Sequence, residues 1–127
     1  YRTQLTSPFW SEAAKRYTAI RLAPHSIHHA HYLDVATMAR QQGLVTDSAY
    51  LSRASTSATE ASRARIEHGI VTGSWPTDTL FVVDEDIAQR ASATLDTRSL
   101  LVRVDGIIVL APEWAGCADC GAEPFVR

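Results

Sequence analysis

The chain has 127 residues, 46% of them hydrophobic and 20% charged, with a formal net charge of −2. That is the balance of a single globular domain, long enough to bury a core without help from disulfides or a metal. Lys15 is the lone lysine and the arginines are scattered, which speaks against a nucleic-acid surface, and no apolar run approaches the roughly 20 residues that span a bilayer.

Along the chain, Ser7-Pro8 reads as an N-cap followed by proline at the first helical position. Phe9, Trp10, Ala13, Ala14 and Tyr17 then recur at helical spacing, which predicts a helix over residues 8–16. Residues 17–24, rich in β-formers and stopped by Pro24, form a first strand. Four of the five histidines follow within His25-Ser-Ile-His-His-Ala-His31, and this segment starts a helix whose apolar face is Tyr32, Val35, Ala36, Met38 and Ala39, with Gly43 at its C-terminal cap. A second strand is expected over Thr46–Ser52.

A weakly apolar surface helix carries Ala58, Ala61, Ala64, Ile66 and Ile70 and ends near Gly69 or Gly73. Trp75-Pro76-Thr77-Asp78 is a turn, and Thr79–Val83 is an apolar strand halted by Asp84-Glu85-Asp86. A helix over residues 86–95 leads to two apolar runs, 100–104 and 107–110, around Asp105-Gly106, a strong hairpin signal. Strands alternating with helices imply right-handed βαβ units. The expected fold is a three-layer α/β domain with a mostly parallel sheet, Rossmann-like or flavodoxin-like, closed at one edge by the C-terminal antiparallel hairpin. Its core spans residues 8–112, and residues 113–127 form an irregular tail.

In an open parallel sheet, ligands bind beyond the carboxyl ends of the strands. The residues expected on that rim are His28, His29, Arg53, Asp84 and Asp86. His25, His28, His29 and His31 have the chemistry of zinc ligands, with Asp84 or Asp86 completing a set, but their spacing matches no established zinc signature, and the favoured reading is a polar loop and helix start whose imidazoles are solvated or cap the backbone. Asp84-Glu85-Asp86 reads as a metal-holding acidic pair or as an N-cap with acids in the first turn. Cys117-Ala-Asp-Cys120 is compatible with a local disulfide staple, with half of a zinc site or with free thiols. No G-x-S-x-G elbow and no glycine-rich phosphate loop is present.

FWSEAAKRYTAIRLAP (Phe9 to Pro24), YLDVATMARQQGL (Tyr32 to Leu44), SAYLSR (Ser48 to Arg53), TLFVVDED (Thr79 to Asp86) and VDGIIVLAP (Val104 to Pro112) together carry a resemblance. They resemble the soluble C-terminal region of a family of large bacterial polytopic membrane proteins related to type C glycosyltransferases. The resemblance covers most of the chain from Phe9 to Pro112. It implies a non-catalytic accessory domain, excised here from a larger membrane protein, as the start at Tyr1 also suggests. Such a domain would lie on the periplasmic face of the inner membrane, with the transmembrane part of its own polypeptide and a glycan or lipid-linked sugar as partners. No catalytic residue and no cofactor is implied, and a periplasmic setting agrees with a disulfide between Cys117 and Cys120. The rival expectation is a small metal-dependent hydrolase or metal-binding protein built on the histidine loop with Asp84 or Asp86.

Overall fold

The computed structural model describes residues 5–22, 29–46, 64–70, 72–94, 100–114, 116 and 119–125, residues 29–33 and 94 as backbone. The elements are α1 (Phe9–Ala14), β1 (Ala19–Leu22), α2 (His29–Gln41), α3 (residues 64–70), β2 (Thr79–Val83), α4 (Glu85–Thr94), β3 (Leu101–Val104), β4 (Ile107–Leu110) and β5 (Glu123–Pro124). The histidine-rich segment does open a helix, since α2 starts at His29. Its end follows from Gly43, whose φ of 90° lets the Gly43 and Leu44 amides turn back onto the carbonyls of Arg40 and Ala39. Of the strand expected over Thr46–Ser52, residues 47–52 lie outside the described residues; just before it, Val45 bridges in parallel to Ala19.

The five strands form one sheet in the order β1-β2-β4-β3-β5. β1 and β2 pair in parallel, whereas β2–β4, β3–β4 and β3–β5 pair antiparallel. The expectation of a mostly parallel Rossmann-like sheet is therefore corrected to a mixed sheet. β1, β2 and β3 do run in one direction, as βαβ logic requires, but the returning strand of the hairpin does not close an edge. Strand β4 inserts between β2 and β3, because Ile107–Leu110 is buried at every position while Arg103 keeps β3 only part-buried. A strand apolar on both faces belongs inside the sheet.

Strand alternation sends two sets of side chains to opposite faces. Ile20, Leu22, Leu80, Val82, Val102, Val104, Ile107 and Val109 pack with Phe9, Trp10 and Ala13 of α1 and Val35, Ala36 and Ala39 of α2. Phe81, Val83, Leu101, Ile108 and Leu110 pack with Ile66 and Ile70 of α3 and Ile87, Ala88 and Ala91 of α4. The three-layer α/β arrangement follows from these two cores.

Two local expectations change. Ser7 is not the N-cap of α1: Pro8 holds that position without a side-chain cap. Instead the Ser7 amide and hydroxyl donate to the Asp105 carboxylate at 3.1 and 2.6 Å, and the Trp10 indole Nε1 donates to it at 2.9 Å. Asp105 and Gly106 have φ of 51° and 78°, the two positive values of a type I′ turn, so one aspartate both makes the hairpin and anchors α1. Nor is the tail from residue 113 irregular throughout. Glu123–Pro124 extends the sheet beside β3, Cys120 and Phe125 are buried, and the Phe9 amide donates to the Cys120 carbonyl. Pro124 suits this edge position because it has no ladder amide to offer the next strand.

Candidate functional site

Of the rim residues singled out from the sequence, Asp84 and Asp86 have described side chains. His25, His28 and Arg53 lie outside the described residues, and His29 and His31 are placed only as backbone in the first turns of α2. Asp84 accepts a hydrogen bond from the Ile87 amide at 3.0 Å, the geometry of an N-cap on α4. Asp86 pairs within α4 with Arg90 at 2.8 Å, and Arg90 also meets Glu67, so it is Arg90 that ties α4 to α3 at the surface. Among the described residues no group of three His, Cys, Asp or Glu side chains is arranged to hold a metal. Cys120 is disulfide-bonded; Cys117 lies outside the described residues.

A different set of residues frames a cleft of about 310 Å³, on the sheet face that carries α3 and α4. Parallel pairing sets Arg21 of β1 directly beside Phe81 of β2, on the same face. Ile20 and Leu22 occupy the opposite face, so Arg21 is the half-buried cation of an otherwise apolar strand. Phe81 and Ile70 lie at the base of the cleft. Arg65, Ile66 and Gly69 form the helical wall, and Ser74, Trp75 and Pro76 the loop wall.

The loop reaches the cleft because Gly73, with φ of 75°, closes α3. The Ser74 amide then returns to the Gly69 carbonyl at 2.8 Å. Gly69 permits the close approach that follows: a Cβ there would stand 2.9 Å from the Ser74 carbonyl oxygen. Trp75 is thereby laid half-buried against the Phe81–Ile70 core.

The described polar side chains of the cleft are Arg21, Arg65, Ser74 and Thr79. The Arg21 Nη1 is held by the Ile20 carbonyl at 3.2 Å and the Val45 carbonyl at 3.5 Å, which fixes the guanidinium at the mouth. Among the described residues neither Arg21 nor Arg65 is paired with a carboxylate. Thr79 at the cleft's edge donates its hydroxyl to Asp78, and Thr18 donates to the same carboxylate from β1's approach. The Thr18 hydroxyl first and the Thr79 hydroxyl second hold the Asp78 carboxyl below its usual range.

A depressed carboxylate contributes stability that is present above its unfolded value and is lost as pH falls through the folded one. Thr18→Val should therefore move the Asp78 titration upward toward the ordinary carboxylate value of about 4. Carboxyl carbon NMR between acid and neutral pH reads this directly, and an unmoved midpoint would show that Thr18 does not hold this carboxylate.

The dimensions and lining are those of a small-ligand cleft: within the roughly 300–1,000 Å³ range, apolar at the base, with a few convergent polar groups. The signals in the sequence are Arg21 as a lone charge in an apolar strand and Trp75 at the start of the Trp75-Pro76-Thr77-Asp78 turn; their convergence with Arg65 has no local signal. No helix among the described residues is long and apolar enough to cross a membrane. The model of one protein family, the DUF6311 C-terminal domain, matches residues 9–112. No curated protein and no solved structure matches the chain.

Proposed function

This chain belongs to the DUF6311 C-terminal domain family, and from there we propose that it is the sugar-binding accessory domain of a larger bacterial membrane protein related to type C glycosyltransferases. In this reading the domain stands on the periplasmic side, holds a glycan or lipid-linked sugar, and leaves group transfer to the membrane-embedded part of the polypeptide. The family relation to glycosyltransferases rests on the resemblance of the Phe9–Pro112 motifs. The mode of binding rests on the cleft.

The observation that carries the proposal is the half-buried Trp75 beside a base formed by Phe81 and Ile70, facing the guanidinium of Arg21 and the helix face of Arg65. An indole face offers apolar contact to the C–H side of a pyranose, while guanidinium N–H groups reach its oxygens. These groups hold and orient a ligand. The binding position differs from the strand-end rim expected from the sequence, since Thr79 and Phe81 line it from the first part of β2.

Titration of the 127-residue chain with maltotriose, chitotriose and an oligogalacturonate tests the proposal, with amide and indole NMR shifts as the readout. At least one of these should shift the Trp75 indole, and Trp75→Ala should weaken that interaction about tenfold, the loss of one ring contact of about 1.4 kcal/mol. If all three leave the cleft resonances in place, the sugar-binding reading falls.

A further inference from the structure

We infer that the cleft between Arg21, Arg65 and Trp75 selects an acidic sugar, one whose carboxylate or phosphate is gripped by the two guanidiniums while its ring lies against the indole. The inference rests on the sugar-binding reading above and adds the chemical class of the ligand.

The argument comes from the balance of donors and acceptors. A neutral sugar presents hydroxyls, each of which donates as well as accepts, so a site built for it supplies side-chain carboxylates or amides as well as donors. Among the described residues lining this cleft, the charged side chains are Arg21 and Arg65, which donate and cannot accept; the Ser74 hydroxyl can do either, and the Thr79 hydroxyl, its proton given to Asp78 at 3.1 Å, offers only lone pairs. No Asp, Glu, Asn or Gln is among the described residues that line it. The groups facing Arg21 are Phe81 beside it on β2, Arg65 and Ile66 across the cleft, and Asp78 at the start of β2. Arg21 acts weakly on the Asp78 carboxylate, whose oxygens accept from Thr18 and Thr79.

Arg21 is also prepared for an anion. Among the described residues only its Nη1 is engaged, by the Ile20 and Val45 carbonyls, which are neutral acceptors. The remaining N–H groups have no acceptor among the described residues. A planar guanidinium held at one end presents the fork that matches a carboxylate or phosphate, and its burial against Phe81 strengthens the attraction relative to open water. Arg65 stands on the face of α3 that Gly69 shares, one helical turn away, so its charge lies over the same opening. Two like charges at one cleft, neither ion-paired with a carboxylate among the described residues, repel one another, and a bound anion relieves that repulsion.

The test compares glucuronic acid, glucose 1-phosphate, glucose and inorganic phosphate as titrants of the 127-residue chain, followed through the Trp75 indole resonance. At least one of the two acidic sugars should bind about tenfold more tightly than glucose, a gain equivalent to one charge-assisted contact. That advantage should shrink in 0.5 M salt, taken as a high-screening condition of roughly 4 Å Debye length, and should disappear in Arg65→Gln. Arg65 is exposed, so its replacement leaves the core untouched; Arg21→Gln provides the second variant.

Glucose binding as tightly as glucuronic acid and glucose 1-phosphate, with the Trp75 indole still shifting, would overturn the acidic class and leave the cleft as a sugar site. Inorganic phosphate binding as tightly as glucose 1-phosphate would overturn it too, because the ring would then contribute nothing. If none of the four moves Trp75, both this inference and the sugar-binding reading fall.

Discussion

Asp105→Ala should lower the folding stability of the domain by about 3 kcal/mol, and its melting temperature by on the order of 10 °C. Three donors lose their acceptor at once: the Ser7 amide, the Ser7 hydroxyl and the Trp10 indole N–H. They do not lose equally. Ser7 is only half-buried, so water can reach its two groups, whereas Trp10 is 1% exposed and its N–H has nowhere else to donate. The stranded indole supplies roughly 1–3 kcal/mol of the loss, and the weaker replacement bonds at Ser7 supply part of the rest.

The backbone adds a further term. Asp105 sits at φ 51°, where alanine is less tolerant than aspartate, at a cost of about 1 kcal/mol. Asp105→Asn separates the two effects, since asparagine keeps the turn conformation but replaces one acceptor oxygen with a donor. Urea denaturation should place the asparagine variant between wild type and alanine. If asparagine is fully stable, the backbone conformation and not the carboxylate explains the effect; a loss below about 1 kcal/mol in the alanine variant would remove the anchor altogether.

The second large effect is expected for Trp10→Ala, at about 4 kcal/mol. Helix α1 has six residues, too few to persist on local hydrogen bonds, so it exists because its apolar face is buried. Trp10 packs edge-on against Phe9 with ring centroids 5.1 Å apart, and Phe9 meets Trp114 at the same distance from its other side. Truncation leaves a void the size of an indole in the core between α1 and the sheet. With total stability of roughly 5–15 kcal/mol expected for a domain, this loss approaches the limit for a folded state.

Trp10→Ala and Asp105→Ala remove the same indole–carboxylate bond, so their effects should not add. In the double variant the sum of the single losses should exceed the measured loss by about 1–2 kcal/mol. Simple additivity in a urea-denaturation cycle would mean that the Trp10 indole and Asp105 do not interact in solution.

The same anchor shows why some of the fold was legible in the sequence and some was not. Asp105-Gly106 announced the hairpin because two positive φ values are a local requirement that few residue pairs meet. Nothing local tells that the Asp105 side chain will be met by Ser7 and Trp10, which belong to the other end of the chain. Ser7 was read as a helix cap for the same reason: its local chemistry fits a cap, and the competing acceptor is distant in sequence.

By itself the sequence determined the elements whose cause is local: the helix that opens in the histidine segment and stops at Gly43, the apolar strand Thr79–Val83, Asp84 as the first residue of an acidic helix start, and the Asp105-Gly106 turn. The tertiary structure decided how they combine. It placed β4 between β2 and β3, joined Glu123–Pro124 to the sheet, and brought Arg21, Arg65 and Trp75 around one cleft. Periodicity and turn chemistry act over a few residues, so they are written in any short window. A run such as Ile107–Leu110 is apolar in the same way whether its neighbours are parallel or antiparallel, and only the competition among all strands for the most buried position settles which neighbours it has.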